Sequence, residues 1–286
     1  MEIIGSQKIW TFSAASGGIK PLTCGAIRKE PAFFVRTYME LATKVAELQF
    51  LNRDFVLMFR GQAGDYKNKS GYTSLKPSLL RAGVSNKVPK DSTISARFDK
   101  LVEAEKALVA EYEARKYIGR DRLKRQRILR WAILQHYEIC DTPLLDVTHS
   151  LRIAASFATH HANGEAFIFV LGIPHISGAI TASAEAGIQI VRLASVCPPA
   201  AVRPHIQEGY LLGEYPEFAS AEQKLLYEHA EMDFGRKVVA KFRFTPETFW
   251  KKSGPFPQIG KQALYPPATE DPLSGLANAV KAAIPR

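Results

Sequence analysis

Three short segments of the 286-residue chain gather side chains able to do chemistry. The first is Phe59-Arg60-Gly61-Gln62, at the end of an apolar run. The second is Gln135-His136-Tyr137, followed by Thr142, by Leu144-Leu145-Asp146-Val147-Thr148 and by Ser150. The third is Arg203 with Gln207-Glu208-Gly209. In each, polar groups sit against apolar stretches, where a buried polar side chain must find a partner. Singly, each has a structural use: Asp146 can cap a turn, and Gln135 can satisfy a loop carbonyl. As a constellation they point to a site. A nuclease-like use of Gln135, His136 and Asp146 ranks last, because metal-dependent nucleases cluster several carboxylates and Asp146 has no obvious partner.

Other chemistries lack their motifs. There is no GxxxxGK[ST], no HExxH and no GxSxG. His160 and His161 are adjacent, so on a helix they point different ways and make a poor metal pair. The three cysteines, Cys24, Cys140 and Cys197, are widely spaced and form no CxxC, which argues against a zinc site or a disulfide framework. No metal is expected. This cysteine usage suits a reducing cytosol. The N-terminus lacks the apolar region of a signal peptide, and the longest clean apolar stretch, 166–173, is only a strand long. The expectation is a cytoplasmic protein without membrane contact.

Composition is that of an ordinary folded protein, 46% hydrophobic and 23% charged, which excludes disorder, collagen and coiled coil for the bulk of the chain. The 38 Lys+Arg against 28 Asp+Glu give +10, a balance that favours an anionic partner. Most of it is local. Residues 115–130 carry eight basic residues and one acidic one, a net of +7, leaving +3 for the rest. This strip reads either as a solvated helix face or as a docking strip for a polyanion.

The elements that position these residues follow from periodicity. Residues 1–30 read as an irregular arm. A helix is expected after Pro31, with apolar residues at three- and four-residue steps through Leu48. Residues 54–60 read as a buried strand ended by Gly61, and 61–78 as a polar, glycine-rich loop. A long helix is expected over 94–117, broken at Gly119, then a second over about 120–137 with the basic strip on one side. A short strand or turn at 144–147 leads into a helix over 150–161, capped by Ser150 or Thr148. Strands are expected at 166–173, 188–194, 210–212 and 236–244. The last alternates, with Val238, Phe242 and Phe244 on one face and Lys237, Lys241 and Arg243 on the other. Helices are expected at 219–230 and 271–283. The fold class is α+β: a single domain, mixed or antiparallel sheets with packed helices.

These segments resemble the FRG domain family, named for the Phe-Arg-Gly triplet seen here at 59–61. Its members usually read FRGQ, Pro-Ser-Leu-x-Arg, QHYG, TRLLDWT and a helix ending in Phe-Ala. This chain has FRGQ at 59–62, PSLLR at 77–81, QHYE at 135–138, TPLLDVT at 142–148 and SFA at 156–158. QEG at 207–209 and the ending LYPPATEDPLSGLANAVK extend the resemblance across about 35–283. Glu138 stands where Gly is usual, Pro143 where Arg is usual and Val147 where Trp is usual. The resemblance divides the chain into an N-terminal arm (1–30), an FRG core (31–250) and a C-terminal Pro/Gly-rich segment with a short helix packing on the core (251–286).

The order of elements also resembles ADP-ribosyltransferases, and the family resembles toxin components of bacterial toxin–antitoxin and phage-defence loci. What this implies is an ADP-ribosyltransferase-like fold and transfer of ADP-ribose from NAD as co-substrate. Glu208 or Gln207 would be catalytic. Arg60, Gln62, Gln135, His136, Tyr137, Thr148 and Ser150 would bind the cofactor. Asp146 would orient Arg60 or His136. The basic strip then suggests a nucleic-acid acceptor, RNA favoured, held by Arg120, Arg122, Lys124, Arg125 and Arg127, with Tyr112, Tyr117 and Trp131 interleaved. An acidic antitoxin is the other partner this strip suits. The alternative from a different class is a non-catalytic FRG module that binds a nucleotide or a partner peptide.

Overall fold

A computed structural model describes residues 7–82, 89–226 and 232–284. In chain order these form β1 (Lys8–Ser13), β2 (Gly18–Thr23), α1 (Cys24–Lys29), β3 (Phe33–Phe34), α2 (Tyr38–Leu51) and β4 (Val56–Gln62). Then come α3 (Asp91–Ala114), α4 (Arg120–Arg125), α5 (Arg127–His136), β5 (Leu145–Thr148), α6 (Leu151–His160), β6 (Ala166–Ile173), β7 (Ile180–Ser183) and β8 (Ile188–Arg192). The chain finishes with α7 (Leu193–Val196), α8 (Arg203–Ile206), β9 (Gly209–Glu214), α9 (Ala221–Leu225), β10 (Val238–Phe244), α10 (Pro246–Lys251), α11 (Lys261–Leu264) and α12 (Pro272–Ala283). The fold is α+β, with mixed strand pairing and packed helices, as expected.

Two compact units emerge, each built from three chain segments. The first comprises Met1–Leu75, Val147–Ile176 and Asp233–Lys261. Its strands run β3-β10-β6-β4. β3 lies parallel to β10, and the β10–β6 and β6–β4 pairs are antiparallel. The apolar run Ile168–Leu171 of β6 is fully buried at the centre. Helix α6 lies directly on β4. A Cβ on Gly61 would stand 1.9 Å from the Ala154 carbonyl oxygen and 2.8 Å from the Ala158 nitrogen. The glycine of the triplet and the alanines at helical spacing therefore let the α6 backbone rest on the strand.

The N-terminal residues differ from the expected irregular arm. β1 and β2 form an antiparallel hairpin turned at Gly17, whose φ is +71°. Asn52, at the end of α2, binds both the N–H and the carbonyl of Trp10 and so ties the hairpin down. The helix expected after Pro31 begins at Tyr38, because Thr37 caps it by accepting from the Glu40 N–H. The face of β10 that carries Lys237, Lys241 and Arg243 is not left to solvent at Lys241. Lys241 is 2% exposed and donates to Asp65 Oδ2 (2.9 Å) and Thr73 Oγ1 (2.8 Å), under the loop that follows β4. At the α6 entry Thr148 Oγ1 accepts from the Ser150 N–H, while the Ser150 side chain makes no cap bond.

The second unit comprises Lys76–Asp146, Ser177–Met232 and Gln262–Arg286. β7, β8 and β9 pair antiparallel in that order. Its core is largely helical: Phe98, Leu101, Leu108 and Tyr112 of α3, Leu129, Trp131 and Ala132 of α5, and Leu273, Leu276 and Val280 of α12. The single helix expected over 120–137 is broken at Gln126, whose extended φ of −112° and ψ of 107° separate α4 from α5. Of the helix expected over 219–230, α9 is the described part, and 227–231 lie outside the described residues.

Replacing Gly61 by alanine tests the α6–β4 packing. The added methyl meets backbone rather than a flexible side chain, so the cost is expected to be at least about 3 kcal/mol. A urea denaturation midpoint equal to that of the unsubstituted protein would show that α6 does not need this approach.

Candidate functional site

The end of α5 carries the central motif. Gln135 is half-buried, and its amide nitrogen donates to Asp146 Oδ2 at 2.6 Å. Its amide oxygen accepts from the Thr142 hydroxyl at 2.5 Å. The Leu144 N–H in turn donates to Thr142 Oγ1. These bonds fold the loop 137–144 back so that β5 begins beside the helix end. Asp146 lies at the close of this unit's segment with its side chain 42% exposed.

His136 is buried, and its Nε2 has no hydrogen-bond partner among the described residues. Its Nδ1 lies 4.0 Å from Asp146 Oδ1, beyond direct hydrogen bonding. Burial, reinforced by the Arg203 guanidinium, holds its pKa well below the usual histidine value. His136 is therefore neutral, and the pair with Asp146 is no salt bridge.

Tyr137 belongs to the core. Its hydroxyl donates to Asp271 Oδ2 at 2.9 Å, and burial pushes the phenol well above its ordinary pKa. Asp271 is fully buried. It also accepts from the N–H of Arg203 (3.1 Å) and from Leu273 at the start of α12 (3.1 Å). The Arg203 guanidinium donates to Glu138 Oε1 at 2.7 Å and lies over the rings of Tyr137 and Tyr265. Glu138 ends α5 at φ +53°, the left-handed region that glycine prefers. This is the position where the resembling family usually has Gly.

Gln207 and Glu208 part company. Gln207 is buried and donates to the Leu264 carbonyl at 2.7 Å, so its amide anchors the C-terminal segment. Glu208 is exposed at φ +44°, immediately ahead of β9. The next residue, Gly209, is confined: a Cβ there would stand 2.8 Å from Leu193 Cδ1 and 3.5 Å from His136 Cε1.

In the first unit, Arg60 is half-buried in β4, in register with Phe169 of β6. Gln62 closes β4 with its Oε1 buried and accepting no hydrogen bond among the described residues. Thr148 is buried and pairs with Phe59 across β5 and β4. Ser150 is half-buried at the entry to α6.

The basic strip is partly neutralised by α3. Lys124 pairs with Glu113, and Arg115 with Glu111. Glu105 is buried, accepts from Arg130 Nε at 2.5 Å and from Trp131 Nε1 at 2.8 Å, and lies 3.6 Å from Arg127 Nε. Lys116, Arg120, Arg122 and Arg125 remain exposed with no ion pair among the described residues. Tyr112 and Trp131 are core residues, so they offer no platform to a base. No helix among the described residues is long and apolar enough to cross a membrane, and no group of three or more His, Cys, Asp or Glu among them is placed to hold a metal ion.

Sequence reasoning missed the structural weight of Asp271, Arg203 and Glu138. The Asp-Pro pair at 271–272 was the available signal, because it marks a helix start.

The state of His136 has a consequence for stability. Below about pH 6.5 the unfolded chain takes up a proton at His136 that the folded chain does not. Stability is therefore complete above that pH and falls as the medium is acidified. The slope contributed approaches about 1.4 kcal/mol per pH unit. In urea titrations between pH 7.5 and 5, His136→Gln is expected to show a shallower pH dependence than the unsubstituted protein. Equal slopes would mean that His136 titrates normally.

Residues 56–166 match the family model of the FRG domain. No curated protein and no solved structure matches the chain. Over the stretch from β4 to the start of β6, which contains FRGQ, QHYE and TPLLDVT, the match supports the FRG family.

Proposed function

We propose that the protein transfers ADP-ribose from NAD to a nucleic-acid acceptor, RNA first, as the toxin of a bacterial toxin–antitoxin or phage-defence system. The observation that carries this reading is Glu208, an exposed carboxylate held in the left-handed region one residue ahead of β9. Such a conformation costs a non-glycine residue about 1–3 kcal/mol and is found where neighbouring structure enforces it, often at functional sites. Here the neighbours are the anchored Gln207 and the confined Gly209.

The chemistry suits a carboxylate. The nicotinamide–ribose bond breaks with its electron pair leaving on nicotinamide, and positive charge builds on the sugar. Glu208 stabilises that charge and takes the proton of the acceptor group as it bonds to the sugar carbon. Arg60 supplies a planar fork for a phosphate. The ADP-ribosyltransferase resemblance also assigns cofactor binding to Gln62, Thr148, Ser150 and His136. An ADP-ribosyltransferase-like order underlies these roles: Arg on an early strand, Thr148 and Ser150 ahead of α6, and Glu208 ahead of a late strand. Lys116, Arg120, Arg122 and Arg125, exposed and without an ion pair among the described residues, serve the acceptor's phosphates.

A second reading, a non-catalytic FRG module, is favoured by one specific observation. Gln135, Tyr137 and Gln207 each direct their polar groups to partners within the protein.

Labelled NAD offered with separate RNA, DNA and protein pools decides between them. Label is expected in RNA, and Glu208→Gln and Arg60→Ala are each expected to lower it by about 10²–10⁴-fold. Label that persists in both variants sinks the assignment, and binding without label selects the module. Acidic replacements at Arg120, Arg122 and Arg125 are expected to weaken RNA binding. They should also flatten its salt dependence, by about 0.7 in the log–log slope for each single-strand phosphate no longer neutralised. An unchanged slope would place the acceptor elsewhere.

A further inference from the structure

The chain that follows β4 turns back on itself. Lys67 pairs with Thr73 in an antiparallel bridge. The Ser74 N–H donates to the Tyr66 carbonyl at 2.8 Å, and the Asn68 N–H to the Tyr72 carbonyl at 2.9 Å. Asn68 Oδ1 closes the tip by accepting from the Ser70 and Tyr72 N–H groups. The underside of this hairpin is anchored. Thr73 is fully buried, and its hydroxyl donates to Asp65 Oδ1 at 2.6 Å. Lys241 Nζ of β10 donates to Asp65 Oδ2 and to Thr73 Oγ1. The Thr73 N–H donates to the Arg28 carbonyl of α1 at 3.0 Å. Asp65 is the one acid in residues 64–74, and it is spent inside. The other side differs. Successive residues of a paired strand face opposite ways, so Tyr66 and Tyr72 lie on the side away from Thr73. The Tyr72 ring is held by α1, with Lys29 Nζ 4.6 Å and Arg28 Cζ 5.3 Å from its centre. Tyr66 lies along Gly64 and is 57% exposed. Lys29 and Lys69 are exposed as well.

We infer that the 64–74 hairpin is a contact for single-stranded nucleic acid on the first unit. Tyr66 stacks on one unpaired base, and Lys29 and Lys69 meet flanking phosphates. A phenol ring offers its face to any base, and a duplex keeps its bases stacked on each other, so the ring selects single strands. The lysines add the counterion release that a polyanion brings. A ring on an anchored hairpin has little backbone freedom left to lose on binding. An acidic peptide would meet the lysines but would leave the flat ring without a use. The nucleic-acid class agrees with the acceptor proposed above. The platform itself stands on the hairpin alone and uses none of the residues of the 115–130 strip.

The test titrates the full chain, without NAD, into a short fluorescent oligouridylate and into an RNA duplex of the same length, and follows their anisotropy. Tyr66→Ala is expected to weaken single-strand binding by roughly 5- to 100-fold, the worth of one stacked base, and to leave duplex binding unchanged. Tyr66→Phe keeps the ring and is expected to keep the affinity. Lys69→Gln is expected to flatten the salt dependence by about 0.7 in the log–log slope. If Tyr66→Ala perturbs the fold, Tyr66→Trp reports instead: its emission is expected to be quenched by the oligouridylate and not by the duplex. Single-strand affinity that is unchanged in Tyr66→Ala, an equal loss for the duplex, an unquenched Tyr66→Trp, or no binding of the oligouridylate overturns the platform. An unchanged slope in Lys69→Gln removes that lysine from the contact. Binding that depends on Tyr66, with no label transferred from NAD, keeps the platform and removes the transferase reading. Label in RNA with binding indifferent to Tyr66 does the reverse.

Discussion

A fully buried carboxylate has to be met by donors, and in the second unit that demand organises everything around the motif. Asp271 accepts from the Tyr137 hydroxyl, the Arg203 N–H and the Leu273 N–H. Leaving any of these donors out would strand buried charge, which costs far more than an exposed pair returns. The three donors lie at the end of α5, the start of α8 and the start of α12. Satisfying one side chain therefore fixes three helix termini together. The end of α5 sets Gln135 and His136, and the end of α8 sets Gln207 and Glu208. The geometry of the proposed chemistry is inherited from a bond that takes no part in it.

The first unit rests on an equally local constraint, the absence of a side chain at Gly61. Within one triplet the roles divide: Phe59 is core, Gly61 admits α6, and Arg60 is the half-buried cation. The same division recurs in the second unit. Tyr137 and Gln207 serve architecture, while Glu208 keeps an exposed carboxylate. A motif read as one functional block is thus a mixture. The residues that can meet a ligand are those whose polar atoms the fold leaves at its surface.

Legibility in the sequence followed the range of the forces. The strand at 166–173 was readable because a continuous apolar run needs no distant partner to be buried, and β6 occupies those bounds. Helix α12 was readable because Asp271 and Pro272 form a local start signal. The hairpin at 8–23 was not. Its alternation is short and is interrupted by Gly and Pro, and its anchor, Asn52, lies 42 residues from Trp10. The burial of Lys241 was not readable because its partner Asp65 is 176 residues away. The structural partner of Tyr137 was not readable because Asp271 is 134 residues away. The break at Gln126 had no signal at all, since the residues around it are good helix formers. Glu208 was picked out beside Gln207, but only burial separates the two.

Glu138 shows how one departure from the resembling family propagates. A glycine at this helix end would adopt φ +53° freely, whereas a glutamate resists it by about 1 kcal/mol. The ion pair with Arg203 offsets that resistance. It also supplies a partner for a guanidinium that is otherwise almost wholly buried against Tyr137 and Tyr265. Arg203 in turn is one of the two causes that keep His136 uncharged. A neutral imidazole cannot compete with the Gln135 amide for Asp146 as a cation would. Glu138, which meets Gln135 through its backbone N–H alone, thereby bears through Arg203 on whether Asp146 faces an amide or a charged histidine.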